Sequence, residues 1–157
     1  MLKMKILVVC YSRTGKTRKI ANKIAQSLNA DFDEIIDQKP RRGFLGFLKA
    51  GYDATLGKTT EITFTRNPEN YDLIILGTPV WNGRITPAVR TYLIKNKGKI
   101  KQCAIFATCV GRQGICLKQM RELCNSRVIL EQVFFNKKEN EDLIQFIDDL
   151  KGIVEYL

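Results

Sequence analysis

The chain has 157 residues, of which 45% are hydrophobic and 27% are charged, so it fits one soluble globular domain with a continuous core. The sequence has no run long enough to cross a membrane, no low-complexity tract and no internal repeat, and its first apolar run is too short for a signal peptide. We therefore expect one domain over residues 1–157 and a cytoplasmic location.

The formal net charge of +10 is the most unusual bulk property of the chain. Nucleic acid, an acidic membrane surface or an acidic protein partner would each account for it. The basic residues are scattered and have no interleaved aromatic platform. We therefore expect no sequence-specific nucleic-acid binding, and a solvated basic surface is the simplest interpretation.

Histidine is absent, and the cysteines are odd in number and contain no C-x-x-C pair. This pattern argues against a disulfide framework or a metal cluster, and it predicts that most cysteines are buried core residues in a reducing compartment. The cysteines are Cys10, Cys103, Cys109, Cys116 and Cys124. Without histidine the chain lacks the commonest proton shuttle at neutral pH, so we expect a bound cofactor to supply the chemistry.

The turn between the first predicted strand and the first predicted helix has the composition of an anion site. An apolar run predicts a strand over residues 4–10, and helical spacing predicts a helix over residues 16–28. The first amides of a helix lack intrahelical partners and lie at the positive end of its dipole, so they bind phosphate well. The turn reads C-Y-S-R-T-G-K-T and adds hydroxyl donors, a glycine for close backbone approach and a lysine. These residues are Ser12, Thr14, Gly15, Lys16 and Thr17.

Two other interpretations of this turn are weaker. Ser12 or Thr14 would serve as a plain helix cap, but a cap needs only one hydroxyl residue. The sequence G-K-T also matches the end of a nucleotide triphosphatase loop. However, the first glycine of that motif falls on Cys10, and Gly77 stands where a magnesium-binding aspartate is expected. We therefore favour a phosphate site.

The segment between the second and third main strands is the least regular part of the sequence. Strands are predicted over residues 32–37 and, at a sheet edge, over residues 61–65. Between them, apolar residues predict a short helix over residues 44–52, broken by Gly46 and Gly51. We expect this helix to pack on the sheet. The alternative is that its aromatic residues cover a ligand edge or bind a partner.

A second loop, rich in glycine and proline, follows a predicted central strand over residues 71–76. It reads G-T-P-V-W-N-G-R-I-T-P over residues 77–87. Loops at the carboxyl ends of such strands bind ligands in open α/β sheets. Trp81, the single tryptophan, lies beside an Asn-Gly pair that forms tight turns. We therefore expect Trp81 to stack on a flat ring rather than to fill the core.

A third loop, A-T-C-V-G-R-Q-G over residues 107–114, follows a predicted strand over residues 102–108. The remaining predictions are helices over residues 86–96, 115–124 and 139–157 and a strand over residues 127–134. Five strands then alternate with helices, and ligand loops follow the first, third and fourth. A doubly wound sheet of order 2-1-3-4-5 brings those three carboxyl ends together.

Two of these loops resemble those of flavodoxins. The sequence S-R-T-G-K-T resembles the loop T/S-x-T-G-x-T that binds the phosphate of flavin mononucleotide (FMN), and G-T-P-V-W-x-G-x-x-x-P resembles the second flavin loop. The resemblance covers essentially the whole chain. It implies an α/β, flavodoxin-like three-layer sandwich with a five-stranded parallel sheet of order 2-1-3-4-5.

The resemblance also implies noncovalent FMN, and the lack of histidine and of a C-x-x-C pair leads us to expect no metal site. The matching cofactor-binding positions are Ser12, Arg13, Thr14, Gly15, Lys16, Thr17, Thr78, Pro79, Val80, Trp81, Asn82, Gly83, Thr108, Cys109, Val110, Gly111 and Gly114. In flavodoxins the third loop holds the pyrimidine edge of the flavin through backbone groups. Many flavodoxins carry an aromatic residue there and this chain has none, so we expect one flavin face to be more open. If Cys109 touches the flavin it would tune the ring or be oxidised, and packing is the role we favour.

Two features are expected to tune the flavin. A backbone carbonyl of the 81–83 turn is expected from the resemblance to accept a hydrogen bond from reduced N5, which favours the neutral semiquinone. The loops and following helix starts also carry basic residues and no acid, and a positive field stabilises the anionic hydroquinone. We therefore predict a less reducing flavin than in acidic flavodoxins. The basic residues are Arg13, Lys16, Arg18, Lys19, Arg84, Arg90, Arg112 and Lys118.

The favoured function is an electron carrier that cycles FMN through semiquinone and hydroquinone and docks through its basic rim onto a redox partner protein, acidic in character. The alternative is an FMN-dependent oxidoreductase that uses NAD(P)H or reduces quinones, with Arg112 or Arg84 holding a phosphate. A third interpretation is a flavin-binding protein without redox turnover. Whether the chain is an enzyme stays open at this point.

Overall fold

The sheet at the centre of the molecule has six strands. A computed structural model describes residues 3–157 of the chain. The strands are β1 (Ile6–Tyr11), β2 (Asp31–Asp37), β3 (Ile62–Thr63), β4 (Leu73–Pro79), β5 (Gln102–Cys109) and β6 (Arg127–Phe135). The α-helices are α1 (Lys16–Leu28), α2 (Gly43–Thr55), α3 (Pro87–Lys95), α4 (Cys116–Cys124) and α5 (Glu139–Tyr156). Residues 68–70 form a short 3₁₀ helix.

The strand order is β3-β2-β1-β4-β5-β6, so the expectation of five strands is wrong in its count. The additional strand is the edge segment β3, which pairs antiparallel with the end of β2. The carboxylate of Asp33 on β2 holds the chain beyond β3 in place, since it accepts hydrogen bonds from the backbone N–H groups of Thr65 and Arg66. The five parallel strands alone follow the predicted order 2-1-3-4-5.

Helices cover both faces of the sheet, as the fold class predicts. Alternate residues of β1 point to opposite faces: Leu7 and Val9 join a core with α3 and α4, whereas Val8 and Cys10 join a core with α1 and α5. Because both faces are buried, β1, β4 and β5 are almost continuously apolar. Layers on both faces leave the carboxyl ends of these strands as the place for a site.

All five cysteines are free and buried, which confirms the prediction that most of them are core residues. Burial raises the pKa of the Cys10 and Cys116 thiols to about 12, so both remain protonated at neutral pH. Within residues 3–157 no group of three or more metal-ligating side chains comes together. Over the same residues, the helices are too short or too polar for any of them to cross a bilayer.

Helix α2 departs most from expectation. It is one continuous helix through Gly46 and Gly51, and its large apolar residues face solvent instead of packing on the sheet. Its buried side consists of Ala50, Asp53 and Ala54. A polar anchor explains this orientation, because the Asp53 carboxylate accepts hydrogen bonds from Arg41 at 2.7 Å and from Lys39 at 3.0 Å.

Candidate functional site

The three predicted ligand loops meet at the carboxyl ends of β1, β4 and β5 and enclose a cleft of about 800 Å³. A volume of this size lies within the range that small-molecule and cofactor sites occupy. The cleft is lined by Arg13, Thr14, Lys16, Thr17, Phe47, Pro79, Val80, Trp81, Asn82, Gly83, Thr108, Cys109, Val110, Gly111, Arg112 and Gly114. The loops thus converge as the topology predicts.

Most of the residues predicted for the site line this cleft. The exceptions are Ser12, Gly15 and Thr78. Ser12 and Gly15 contact each other within the first loop, where the Ser12 hydroxyl accepts a 3.0 Å hydrogen bond from the Gly15 N–H and shapes the turn. Thr78 is fully buried and shares a 3.2 Å hydrogen bond with Thr86, so it supports the second loop from inside.

The first loop leaves the amino end of α1 open. Gly15 precedes the helix with a φ of +97°, a conformation that glycine adopts without strain, and no side chain caps the helix. The plain helix cap considered for Ser12 or Thr14 is therefore absent. Because the first N–H groups of a helix have no intrahelical acceptor, they stay available to an anion beside Thr14 and Lys16.

The first and third loops are joined by a buried contact between two hydroxyls. Thr17 Oγ1 and Thr108 Oγ1 lie 2.8 Å apart, and both residues line the cleft. Thr17 is the second residue of α1 and Thr108 is the penultimate residue of β5. The contact fixes the distance between these two walls of the cleft.

The second loop is a tight turn centred on two residues with positive φ, Asn82 at +49° and Gly83 at +71°. Trp81 and Arg84 close it with two backbone hydrogen bonds of 3.0 Å, which confirms the predicted Asn-Gly turn. Arg84 Nη1 donates to the Asn82 carbonyl at 3.0 Å, so this carbonyl already has a donor within the turn.

Trp81 is half-buried at the cleft wall rather than in the core. The Tyr11 ring meets it edge-on at 5.6 Å between centroids, and the Arg41 guanidinium carbon lies 5.8 Å from its ring centroid. Arg41 is itself buried between the carboxylates of Asp37 and Asp53. These neighbours hold the indole in one place while part of it stays exposed to the cleft.

Two glycines bring the second and third loops into backbone contact. A Cβ added to Gly83 would lie 3.1 Å from the Gly114 Cα, and a Cβ added to Gly114 would lie 2.5 Å from the Gly83 oxygen. The Gly83 carbonyl also accepts a 2.8 Å hydrogen bond from the Ile115 N–H at the start of α4. The two loops therefore form one continuous wall.

Phe47 and Arg112 line the cleft but are absent from the predicted cofactor-binding residues. Phe47 reaches it from α2, so an aromatic side chain is present although the third loop has none. The sequence indicates this role for Phe47 only through the alternative interpretation of residues 44–52, in which aromatic side chains cover a ligand edge. Arg112 lies inside the third loop, where the sequence predicts it as a basic residue near the flavin and, in the oxidoreductase alternative, as a holder of a substrate phosphate.

Fewer basic side chains surround the cleft than the sequence predicts. Among the basic residues of the loops and helix starts, Arg13, Lys16 and Arg112 line it. Lys16 pairs with Glu139 at 3.6 Å, and Arg18 points away to pair with Glu34 at 2.6 Å. Across residues 3–157, no acidic side chain lines the cleft, but Glu139 at the start of α5 offsets part of the positive charge of Lys16 from outside the loops.

Cys109 lies on the cleft wall but is only 4% exposed. Desolvation raises the pKa of its thiol, although a hydrogen bond with the Gly111 backbone and the charge of Lys16 act in the opposite direction. The thiol is thus protonated at neutral pH, which supports the packing role.

The fold matches solved flavoprotein structures. A flavoprotein from Lactobacillus acidophilus NCFM, solved in complex with FMN, is 24% identical, with a TM-score of 0.75 over 91% of this chain and 98% of that chain. Flavodoxin 1 from Bacillus cereus is 19% identical, with a TM-score of 0.61 over 98% of this chain and 99% of that chain. An NADH:FMN oxidoreductase is 18% identical, with a TM-score of 0.56 over 92% of this chain and 87% of that chain.

Models of known protein families give no match to this sequence, and neither do curated protein sequences. The evidence from these comparisons is therefore structural. The chain has the flavodoxin-like α/β fold, and its cleft lies at the switch point of the parallel sheet.

Proposed function

We propose that this protein binds FMN noncovalently in the cleft and carries electrons between redox partners. The observation that carries the proposal is the open amino end of α1 in the same cleft as the half-buried Trp81. The first feature suits a phosphate and the second suits a flat ring. The flavoproteins that share this fold support the same cofactor.

The residues of the cleft fit the parts of FMN. Thr14, Lys16 and Thr17 would bind the phosphate together with the open N–H groups of α1. Trp81 would stack on the ring, and the backbone of residues 108–114 would receive its pyrimidine edge. When bound, FMN supplies the electron-accepting ring, while the protein orients it and limits its contact with water.

The experiment that tests the phosphate assignment compares FMN with riboflavin, which lacks the phosphate. We expect the wild-type protein to bind FMN at least about tenfold more tightly, since each hydrogen bond to a charged group contributes roughly 1.5–3 kcal/mol. Thr14→Val should weaken FMN binding and leave riboflavin binding unchanged. Thr59→Val, an exposed threonine outside the cleft, is the matched control. Equal affinities for the two flavins in the wild type contradict the proposal.

The second candidate is an FMN-dependent NAD(P)H or quinone oxidoreductase, and Arg112 favours it. This arginine is exposed at the cleft and forms no ion pair within residues 3–157, so it is available to a substrate phosphate. Anaerobic mixing separates the two functions. A carrier is reduced rapidly only through a partner reductase, whereas the oxidoreductase loses its flavin absorption on direct addition of NAD(P)H. Reduction by neither route indicates a binding protein without turnover.

A further inference from the structure

The outward side of α2 carries an unusual apolar surface. It consists of large side chains that recur at spacings of three and four residues, and each is 51–80% exposed. We refer to Phe44, Leu45, Phe47, Leu48, Tyr52 and Leu56 as the α2 apolar face.

The orientation of α2 is the reverse of that in an ordinary surface helix. Such a helix buries its apolar stripe and exposes polar residues, whereas α2 buries two alanines and Asp53. The buried carboxylate is neutralised by Arg41 and Lys39. This anchor holds the apolar residues in water, where their exposure is unfavourable unless a further surface covers them.

The polar groups around the α2 apolar face are cationic. Arg42 and Lys49 are exposed, and Lys58 lies 5.0 Å from the Tyr52 ring centroid. Between residues 38 and 60, Asp53 is the one acidic residue, and it is 1% exposed. The segment thus presents apolar side chains and positive charges without an exposed carboxylate.

These features point to an anionic surface as the occupant. Two copies of a chain with net charge +10 repel each other, which disfavours self-association through this helix. A helix with Phe and Leu on one side and Lys and Arg beside them is the pattern that lies in the headgroup region of acidic membranes. A bilayer also covers a protruding apolar face without needing a matching groove.

We propose that the α2 apolar face docks this protein reversibly onto the surface of an anionic lipid bilayer. Phe44, Leu45 and Leu48 enter the headgroup boundary, and Arg42 and Lys49 meet lipid phosphates. Phe47 belongs both to this face and to the cleft wall, so docking brings the cleft to the lipid surface. The inference does not depend on FMN, because the protein can be tested with and without added flavin.

The first test is sedimentation of the full chain with vesicles of phosphatidylglycerol and phosphatidylcholine in equal amounts. We expect binding that weakens with salt and that is absent with pure phosphatidylcholine. Leu45→Ala combined with Leu48→Ala should lower the partition onto vesicles at least about tenfold. The control pair, Ile94→Ala with Ile144→Ala, removes exposed isoleucines from α3 and α5 and should leave it unchanged.

A second pair of variants separates local charge from net charge. Arg42→Glu with Lys49→Glu and Lys97→Glu with Lys99→Glu change the net charge equally, and all four positions are exposed. The α2 pair should lower vesicle binding at least about fivefold more than the control pair. Circular dichroism and thermal unfolding verify that every variant folds.

Three results overturn the proposal. The first is no vesicle binding by the wild type at low salt, which would leave an acidic protein as the occupant. The second is an equal loss in both charge pairs, which would make binding a property of net charge alone. The third is a dimer in the absence of lipid that Leu45→Ala with Leu48→Ala dissociates, which would make a second copy the occupant.

Discussion

Arg13 and Phe47 join the first loop to α2, with the guanidinium carbon of Arg13 5.5 Å from the Phe47 ring centroid. The same guanidinium donates hydrogen bonds to the carbonyls of Arg41 at 2.6 Å and Gly43 at 3.2 Å. A residue of the proposed phosphate loop therefore contacts the aromatic side chain that α2 brings to the cleft. We expect a change in either residue to affect the position of the other.

Replacement of Phe47 tests whether α2 retains the flavin. Phe47→Ala removes one wall of the cleft, and we expect FMN to dissociate about fivefold faster, as the loss of one aromatic contact of roughly 1 kcal/mol predicts. Stopped-flow measurement of flavin release gives this rate. Phe44→Ala, on the same helix but outside the cleft, is the control. If both variants release FMN at the same rate, the effect does not come from the contact of the Phe47 ring with the cleft.

Replacement of Gly83 tests the contact between the second and third loops. Gly83→Ala brings a Cβ to 3.1 Å from the Gly114 Cα at a φ of +71°. Gly98→Ala has a similar φ of +81° but meets no atom within 4 Å. We expect Gly98→Ala to cost about 1 kcal/mol of unfolding free energy, and Gly83→Ala to cost more and to weaken FMN binding. Urea unfolding and flavin titration measure both effects, and equal costs would argue against a tight contact.

Arg112 is the residue with which to test electrostatic tuning of the flavin. Its positive charge should stabilise reduced, anionic flavin, so Arg112→Gln should lower the two-electron midpoint potential by about 20 mV at low salt. The shift should shrink as salt is added. Lys97→Gln removes an exposed charge that precedes the amino end of β5, whereas the cleft lies at the carboxyl end of this strand, so the variant should leave the potential unchanged. A rise in potential for Arg112→Gln would contradict the assigned field.

The stability contributed by Asp53 should depend on pH. Burial raises the pKa of this carboxyl, but the hydrogen bonds from Arg41 and Lys39 lower it by a larger amount. The pKa of Asp53 therefore lies below its ordinary value. A group with a lowered pKa stabilises the folded state at pH values above its unfolded pKa, which is about 3.9 for Asp. This contribution is lost as the pH falls through the pKa in the folded state.

Asp53→Asn should therefore cost about 3 kcal/mol near pH 7, because it leaves buried Arg41 with one carboxylate fewer. The difference from the wild type should shrink as the pH falls below about 4. Denaturant unfolding across this range measures it. Asp148→Asn, an exposed acid on α5, should have no such effect. A constant difference at all pH values would mean that Asp53 acts through packing and not through its charge.

The sequence predicts those parts of the site whose conformation follows from a few neighbouring residues. Gly15 and Gly83 lie in turns whose composition predicts a positive φ, and both have one. Trp81 and Gly83 also line the cleft, whereas Gly15 does not. Phe47 reaches the cleft through contacts between Arg13 and residues 28 to 30 positions away, which no local pattern contains.

The orientation of α2 was predicted wrongly for a related reason. Its spacing of apolar residues predicts an amphipathic helix but does not say which side faces the sheet. The deciding group is Asp53, whose partners, the buried Arg41 and the partly exposed Lys39, precede the helix. The sequence does contain a signal for this orientation: α2 follows two arginines and has a single acidic residue, Asp53, on one side. An argument from the spacing of apolar residues alone does not use it.

The hydrogen bond between Thr17 and Thr108 spans 91 positions of the chain, and this separation affects when a cofactor can enter. During synthesis, the first βαβ unit leaves the ribosome with the phosphate loop but without the walls made by β4 and β5. If the cleft takes FMN as proposed, a flavin that arrives at this stage meets one half of its site. We therefore expect cofactor capture to follow translation of the third loop, because truncated chains that end before this loop lack part of the cleft lining.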